Sequence, residues 1–112
     1  DIEDLKSKID KGTKLLLLCS PHNPVGRVWK REELEAILKV CLEHNIVVFA
    51  DEIHSDLVYA PNKHIPLASL NEKAKEITIT AIGVGKTFNM AGFAISSVAI
   101  QNKELKDKFK KV

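Results

Sequence analysis

The run Leu15-Leu16-Leu17-Leu18-Cys19 is apolar at every position. A strand with one wet face alternates polar and apolar residues. A strand that does not alternate is expected to be covered on both faces, as in parallel sheets flanked by helices. Two more runs repeat the pattern: Ile46-Val47-Val48-Phe49-Ala50, and Ile77-Thr78-Ile79-Thr80-Ala81-Ile82 with its β-branched residues. Between the first two, Leu34, Ile37, Leu38, Cys41 and Leu42 form a stripe at helical spacing, which predicts a helix over 31–44. Glu32 and Glu33 suit its positive N-terminus, while Lys30 is a poor capping residue. Strand, helix and strand of these lengths make a βαβ unit with a right-handed crossover.

The remaining elements are shorter. Ile2, Leu5 and Ile9 share one face of a short helix, with Gly12 as its expected stop. Residues 20–26 carry two prolines, an asparagine and a glycine, and read as a loop. Residues 53–59 show no clear pattern, 60–66 read as a loop, and 67–76 include a short helix. Residues 92–100 read as a fourth strand. The link from Ile82 to Phe93 is too short for a crossover helix, so this strand is expected to run antiparallel to the third. Asn102 caps a last helix with Leu105 and Phe109 on one face, and the chain stops inside it. The predicted fold class is α/β, a partial and mostly parallel four-stranded sheet with packed helices.

Composition narrows the function classes. A chain of 112 residues suggests one domain. Its net charge of +2, with acids and bases well mixed, gives no argument for a nucleic acid or a membrane surface as partner. Its apolar runs are far too short to span a bilayer, and no signal-peptide pattern opens the chain. Cys19 and Cys41 sit in apolar surroundings and read as small buried hydrophobes of a cytoplasmic protein rather than as a disulfide.

Three chemically useful side chains follow the three strands. Asn23 comes after the first, Asp51 ends the second, and Lys86 comes just past the third on a turn with two glycines. Ligands in open α/β sheets bind beyond the carboxyl ends of the strands. Each residue also has a plainer role: Asn23 as a turn former, Asp51 as a cap, Lys86 as a solvated surface charge. A lysine in such a place can bind phosphate or act as a nucleophilic amine. Gly83-Val84-Gly85-Lys86-Thr87 looks like the end of a nucleotide-binding phosphate loop, and residues 47–52 like its acidic strand. Three features oppose that reading. The loop needs a glycine where Thr80 stands, residues 88–93 carry no helical stripe, and the loop should precede the acidic strand.

Three longer segments carry a resemblance. They are Ser20-Pro21-His22-Asn23-Pro24-Val25-Gly26-Arg27-Val28-Trp29, then Asp51-Glu52-Ile53-His54-Ser55-Asp56, then Gly85-Lys86-Thr87-Phe88-Asn89. Together they resemble the signature segments of the fold type I pyridoxal-phosphate-dependent aminotransferases (class I/II). The details, including His64-Ile65-Pro66, are most similar to the cystathionine β-lyase-like C–S lyases of that family. The resemblance covers nearly the whole chain.

It implies that residues 1–112 are an internal fragment of the cofactor-binding large domain. It implies that Lys86 is the catalytic residue, holding pyridoxal 5′-phosphate as a Schiff base and moving the substrate α-proton. Asp51 would pair with the pyridine nitrogen and Asn23 would donate to the ring hydroxyl oxygen. His54 would lie near that same oxygen. The partner would be a small amino-acid substrate, and the parent a homodimer. The fragment alone is expected to be inactive. Gly83 and Gly85 stand where the family usually carries hydroxyl residues, and Ala94 and Ile95 where many members carry a phosphate-clamping arginine. A second reading therefore stays open, a non-catalytic remnant that keeps the fold and has lost the cofactor. The nucleotide hydrolase remains a distant third.

Overall fold

A computed structural model describes residues 1–111; Val112, which the one-domain expectation of 1–112 includes, lies outside the described residues. Helix α1 (Ile2–Lys8) starts at Asp1, whose carboxylate accepts hydrogen bonds from the Glu3 and Asp4 amides. It ends earlier than expected, because Ile9 is already extended. Gly12 belongs instead to a separate turn, in which Asp10 Oδ1 accepts from the Gly12 amide and the Thr13 hydroxyl.

Strand β1 (Leu15–Cys19), helix α2 (Arg31–Glu43) and strand β2 (Val47–Asp51) form the expected βαβ unit. Lys30 is indeed the N-cap. Its deficiency is made good by Glu33, whose carboxylate accepts from the Lys30 amide at 2.9 Å. Helix α3 (Glu72–Ile77) is capped by the Asn71 side chain and runs directly into strand β3 (Thr78–Ile82). Ile77 thus closes a helix instead of opening a strand. The lysine turn is itself helical for one turn, α4 (Val84–Thr87), where the glycines had suggested irregular backbone. This single turn ends at Thr87 and no α-helix runs on through residues 88–93, so that feature still opposes a phosphate loop. The missing glycine at Thr80 and the reversed order also stand.

Strand β4 (Ser97–Ile100) is antiparallel to β3, as the short link requires, and helix α5 (Lys103–Phe109) follows, capped by Asn102. The fourth strand is shorter than residues 92–100. A 3₁₀ turn occupies Ala91–Phe93, and Ala94 takes a left-handed backbone (φ +50°) that breaks the extended run. The sheet order is β1-β2-β3-β4, with the first three strands parallel. The α/β class therefore holds.

The core lies on one face of the sheet. Leu18, Val48 and Ala50 pack with Leu34, Ile37 and Cys41 of α2 and with Leu67. Burying each large aliphatic side chain contributes about 1.5–3 kcal/mol. The other face of β1 departs from expectation. Leu16 and Leu18 turn toward the core, but Leu15 is 51% exposed and Leu17 72%. No helix of the described residues covers them. Both cysteines are free. Burial pushes the Cys41 thiol up to about 11, whereas Cys19 is only half-buried. Among the described residues no helix is long and apolar enough to cross a membrane, and no three acidic, histidine or cysteine side chains form a metal cluster.

Candidate active site

The register of the parallel strands sets Cys19, Asp51 and Ala81 side by side. The segments leaving these positions carry every residue singled out in the sequence.

The loop after β1 is tightly built. The His22 amide donates to the Arg27 carbonyl at 2.8 Å and the Gly26 amide to the His22 carbonyl at 2.7 Å. Gly26 adopts a positive φ of 74°, which favours glycine. Asn23 sits at the tip of this turn, exposed. Arg27 lies 4.3 Å above the Trp29 ring and pairs with Glu33 at 2.7 Å. The Lys30 amide and the Arg27 guanidinium hold the Glu33 carboxyl below the usual carboxylate range. The Trp29 indole in turn donates to the Cys19 carbonyl at 3.0 Å. These contacts tie the Asn23 turn to both β1 and α2.

Beyond β2 the chain folds back at once. Asp51 is half-buried and its Oδ1 accepts from the Ile53 amide at 3.2 Å, so it does cap its own turn. Its second oxygen is left for another donor. The Ser55 amide donates to the Glu52 carbonyl and the Leu57 amide to the His54 carbonyl, both at 2.9 Å. The segment that showed no pattern in the sequence is therefore a compact double turn carrying His54.

Past β3, Lys86 lies on α4, exposed. The helix is fastened from outside by the Thr87 hydroxyl, which donates to Asp56 Oδ2 at 2.7 Å. A Cβ added at Gly83 or Gly85 would meet nothing closer than 3.5 Å, so neither position demands glycine for want of space at Cβ.

The four predicted residues gather at one end of the sheet but not in one cavity. Asn23 and His54 line a groove of about 200 Å³ together with His22 and Leu57. Lys86 lines a separate groove of about 260 Å³, bounded by Ile53, Gly85 and Ala94. Ile53 and His54, consecutive in the chain, stand one in each.

Three buried side-chain polar atoms lack a partner among the described residues: Ser20 Oγ, His54 Nε2 and His64 Nδ1. Ser20 follows β1, and the two histidines belong to the segment after β2. Buried polar atoms are normally paired, and of the three only His54 also lines the groove beside Asn23. In the sequence Glu52 and His64 stand only as members of family-like segments, with no sign that they pair. Glu52 is buried and bonded to His64 Nε2 and to the Leu67 amide, each at 2.9 Å. The available signal was a carboxylate directly after an apolar strand, which Asp51 seemed to explain.

The family profile described as "Aminotransferase class I and II" matches residues 1–112. Cystathionine beta-lyase PatB of Bacillus subtilis (strain 168) is 44% identical over 110 residues, covering 97% of this chain and 28% of the relative. An aspartate aminotransferase of the same organism is 41% identical over 97 residues, covering 87% of this chain and 25% of the relative. Among solved structures, cystalysin from Treponema denticola, which contains a pyridoxal 5′-phosphate cofactor, superposes with a TM-score of 0.95. It is 41% identical, and the match covers 99% of this chain and 28% of that one. The chain spans about a quarter of the length of the curated relatives it matches.

Proposed function

The chain belongs to the class I and II aminotransferases, and from that premise we propose that it forms part of the large domain of a longer enzyme, a C–S β-lyase or aminotransferase that works on amino acids through Lys86. The cofactor is pyridoxal 5′-phosphate. The observation that carries the reading is the gathering of Asn23, Asp51, His54 and Lys86 at the carboxyl ends of parallel strands, with His54 Nε2 orphaned there. On this reading the parent is a cytoplasmic homodimer.

The residues fit the group. His54 Nε2 has an unmet hydrogen-bonding position, Asp51 has a free oxygen, and Lys86 and Asn23 face open space. The bound cofactor supplies an electron sink for the pair left on the substrate α-carbon. The chain's own residues do the rest. Lys86 Nζ attaches the cofactor and carries the substrate α-proton. Asp51 holds a proton on the ring nitrogen, so the ring stays positive. The Asn23 side-chain amide and His54 Nε2 would donate to the ring hydroxyl oxygen and so orient the ring.

Of the two reactions the lyase is favoured. The relative with 44% identity is named a cystathionine beta-lyase, and His54 stands where mainstream aminotransferases more often carry tyrosine. The observation on the side of a non-catalytic remnant is Gly83 and Gly85, which supply no hydroxyl to the cofactor. One experiment separates these readings. The full-length parent is given cystathionine, and separately an amino acid with a keto-acid acceptor. Pyruvate, ammonia and thiol are expected from the first. Efficient amino exchange with no thiol released would move the parent to the aminotransferases, and no turnover of either would favour the remnant. The 112-residue chain, run alongside with cofactor added, is expected to turn over neither. It spans only a quarter of its relatives, and the groups that position a substrate are a large part of catalysis.

A further inference from the structure

We propose that Glu52 and His64 are positioning residues that hold His54 at the cofactor ring; the proposal rests on the site reading given above. Glu52 is 3% exposed, and the His64 side chain 8%. A carboxylate this deep is costly unless every oxygen is paired. Here both are. Oε1 accepts from the Leu67 amide and Oε2 from His64 Nε2, each at 2.9 Å. The main chain of Glu52 is equally engaged. Its amide donates to the Ala81 carbonyl at the end of β3, and its carbonyl accepts from the Ser55 amide, again at 2.9 Å each.

One residue therefore joins four pieces: the end of β2, the end of β3, the turn bearing His54, and the loop that returns through His64 to Leu67. Leu67, at 1% exposure, is sunk in the core and cannot follow a moving loop. His54 comes two residues after Glu52, in a turn whose first hydrogen bond is to the Glu52 carbonyl. The Glu52 main chain and the turn bearing His54 are thus joined by a hydrogen bond two residues from the imidazole. Asp51 is steadied differently, by its own bond to the Ile53 amide and by strand register on both sides.

The imidazole orientation agrees with this role. His64 Nδ1 is buried without a partner. A bare lone pair is tolerated there more readily than an unpaired N–H. The geometry fits the tautomer with hydrogen on Nε2, donated to Glu52, and leaves Nδ1 as an acceptor. Glutamine can place a side-chain N–H where His64 Nε2 stands, and leucine cannot.

The test uses the full-length parent and measures the dissociation constant for pyridoxal phosphate by absorbance titration. The proteins compared are the unsubstituted parent, His64→Leu, His64→Gln, His54→Ala, and His54→Ala combined with His64→Leu. His64→Leu is expected to weaken binding about tenfold, and His64→Gln to restore it to within about twofold. In the His54→Ala background, His64→Leu is expected to add less than about twofold, because the residue it positions is gone. A merely structural role would give the same penalty in both backgrounds, and that result overturns the proposal. So does wild-type binding by a folded His64→Leu protein. Should His64→Leu fail to fold by circular dichroism, Glu52→Gln takes its place in the same cycle and is read the same way. An unsubstituted parent that binds no cofactor sinks the site reading first, and this proposal with it.

Discussion

Replacing Lys86 with alanine in the full-length parent is expected to lower turnover at least about 10³-fold, the scale of a lost positioned acid–base group. The fold is expected to survive. Lys86 is exposed, and its helix is held by the Phe88 amide on the Val84 carbonyl and by Thr87 on Asp56, none of which involves the lysine side chain. Removal of an exposed side chain with no packing role changes stability by less than about 0.5 kcal/mol. The variant should therefore melt like the parent and fail only as a catalyst. Circular dichroism and turnover measured on one preparation check this. A loss below tenfold would mean that another group moves the proton, and a collapsed fold would mean that α4 depends on the lysine.

Asp51→Asn is expected to slow α-proton exchange by about 10²-fold or more, the scale found when one preorganised electrostatic partner is removed. The substitution separates chemistry from folding. Asparagine keeps a side-chain oxygen that can accept from the Ile53 amide, and it leaves the pairing of β2 with β1 and β3 untouched. It carries no negative charge, so it cannot keep a proton on the ring nitrogen. Exchange of the substrate α-hydrogen with deuterated solvent, followed by NMR, reads the step directly. An exchange rate equal to that of the parent would remove Asp51 from the role given to it, whatever the stability of the variant.

How much of this could be read from the chain alone differs from element to element. The three parallel strands and α2 were legible because unbroken apolar runs and a five-residue stripe allow few alternatives. The antiparallel direction of β4 followed from the length of a link. The helical turn at Lys86 was not legible. Gly83 and Gly85 favour irregular backbone locally, and α4 owes its fastening to Asp56, 31 residues earlier in the chain. The bare face of β1 was not legible either. Four consecutive leucines show that a strand tolerates burial on both sides, but not which neighbours supply it.

The site divides in the same way. Asn23, Asp51, His54 and Lys86 were found because each lies just beyond a strand, or in a segment with a strong family likeness. Glu52 and His64 were not paired, since nothing local says that a carboxylate at a strand end will meet an imidazole 12 residues on. Trp29 and Arg27 likewise stand in a family-like segment that does not reveal what they hold. The indole anchors the loop to the Cys19 carbonyl, and the guanidinium ties it to α2 through Glu33.

The central claim is that Lys86 carries the cofactor. Borohydride reduction of the full-length parent loaded with pyridoxal phosphate, followed by peptide mass mapping, tests it most directly. The account predicts one pyridoxyl adduct, on the peptide containing Gly85-Lys86-Thr87-Phe88-Asn89. An adduct on any other lysine, or none at all with the cofactor in excess, would contradict it.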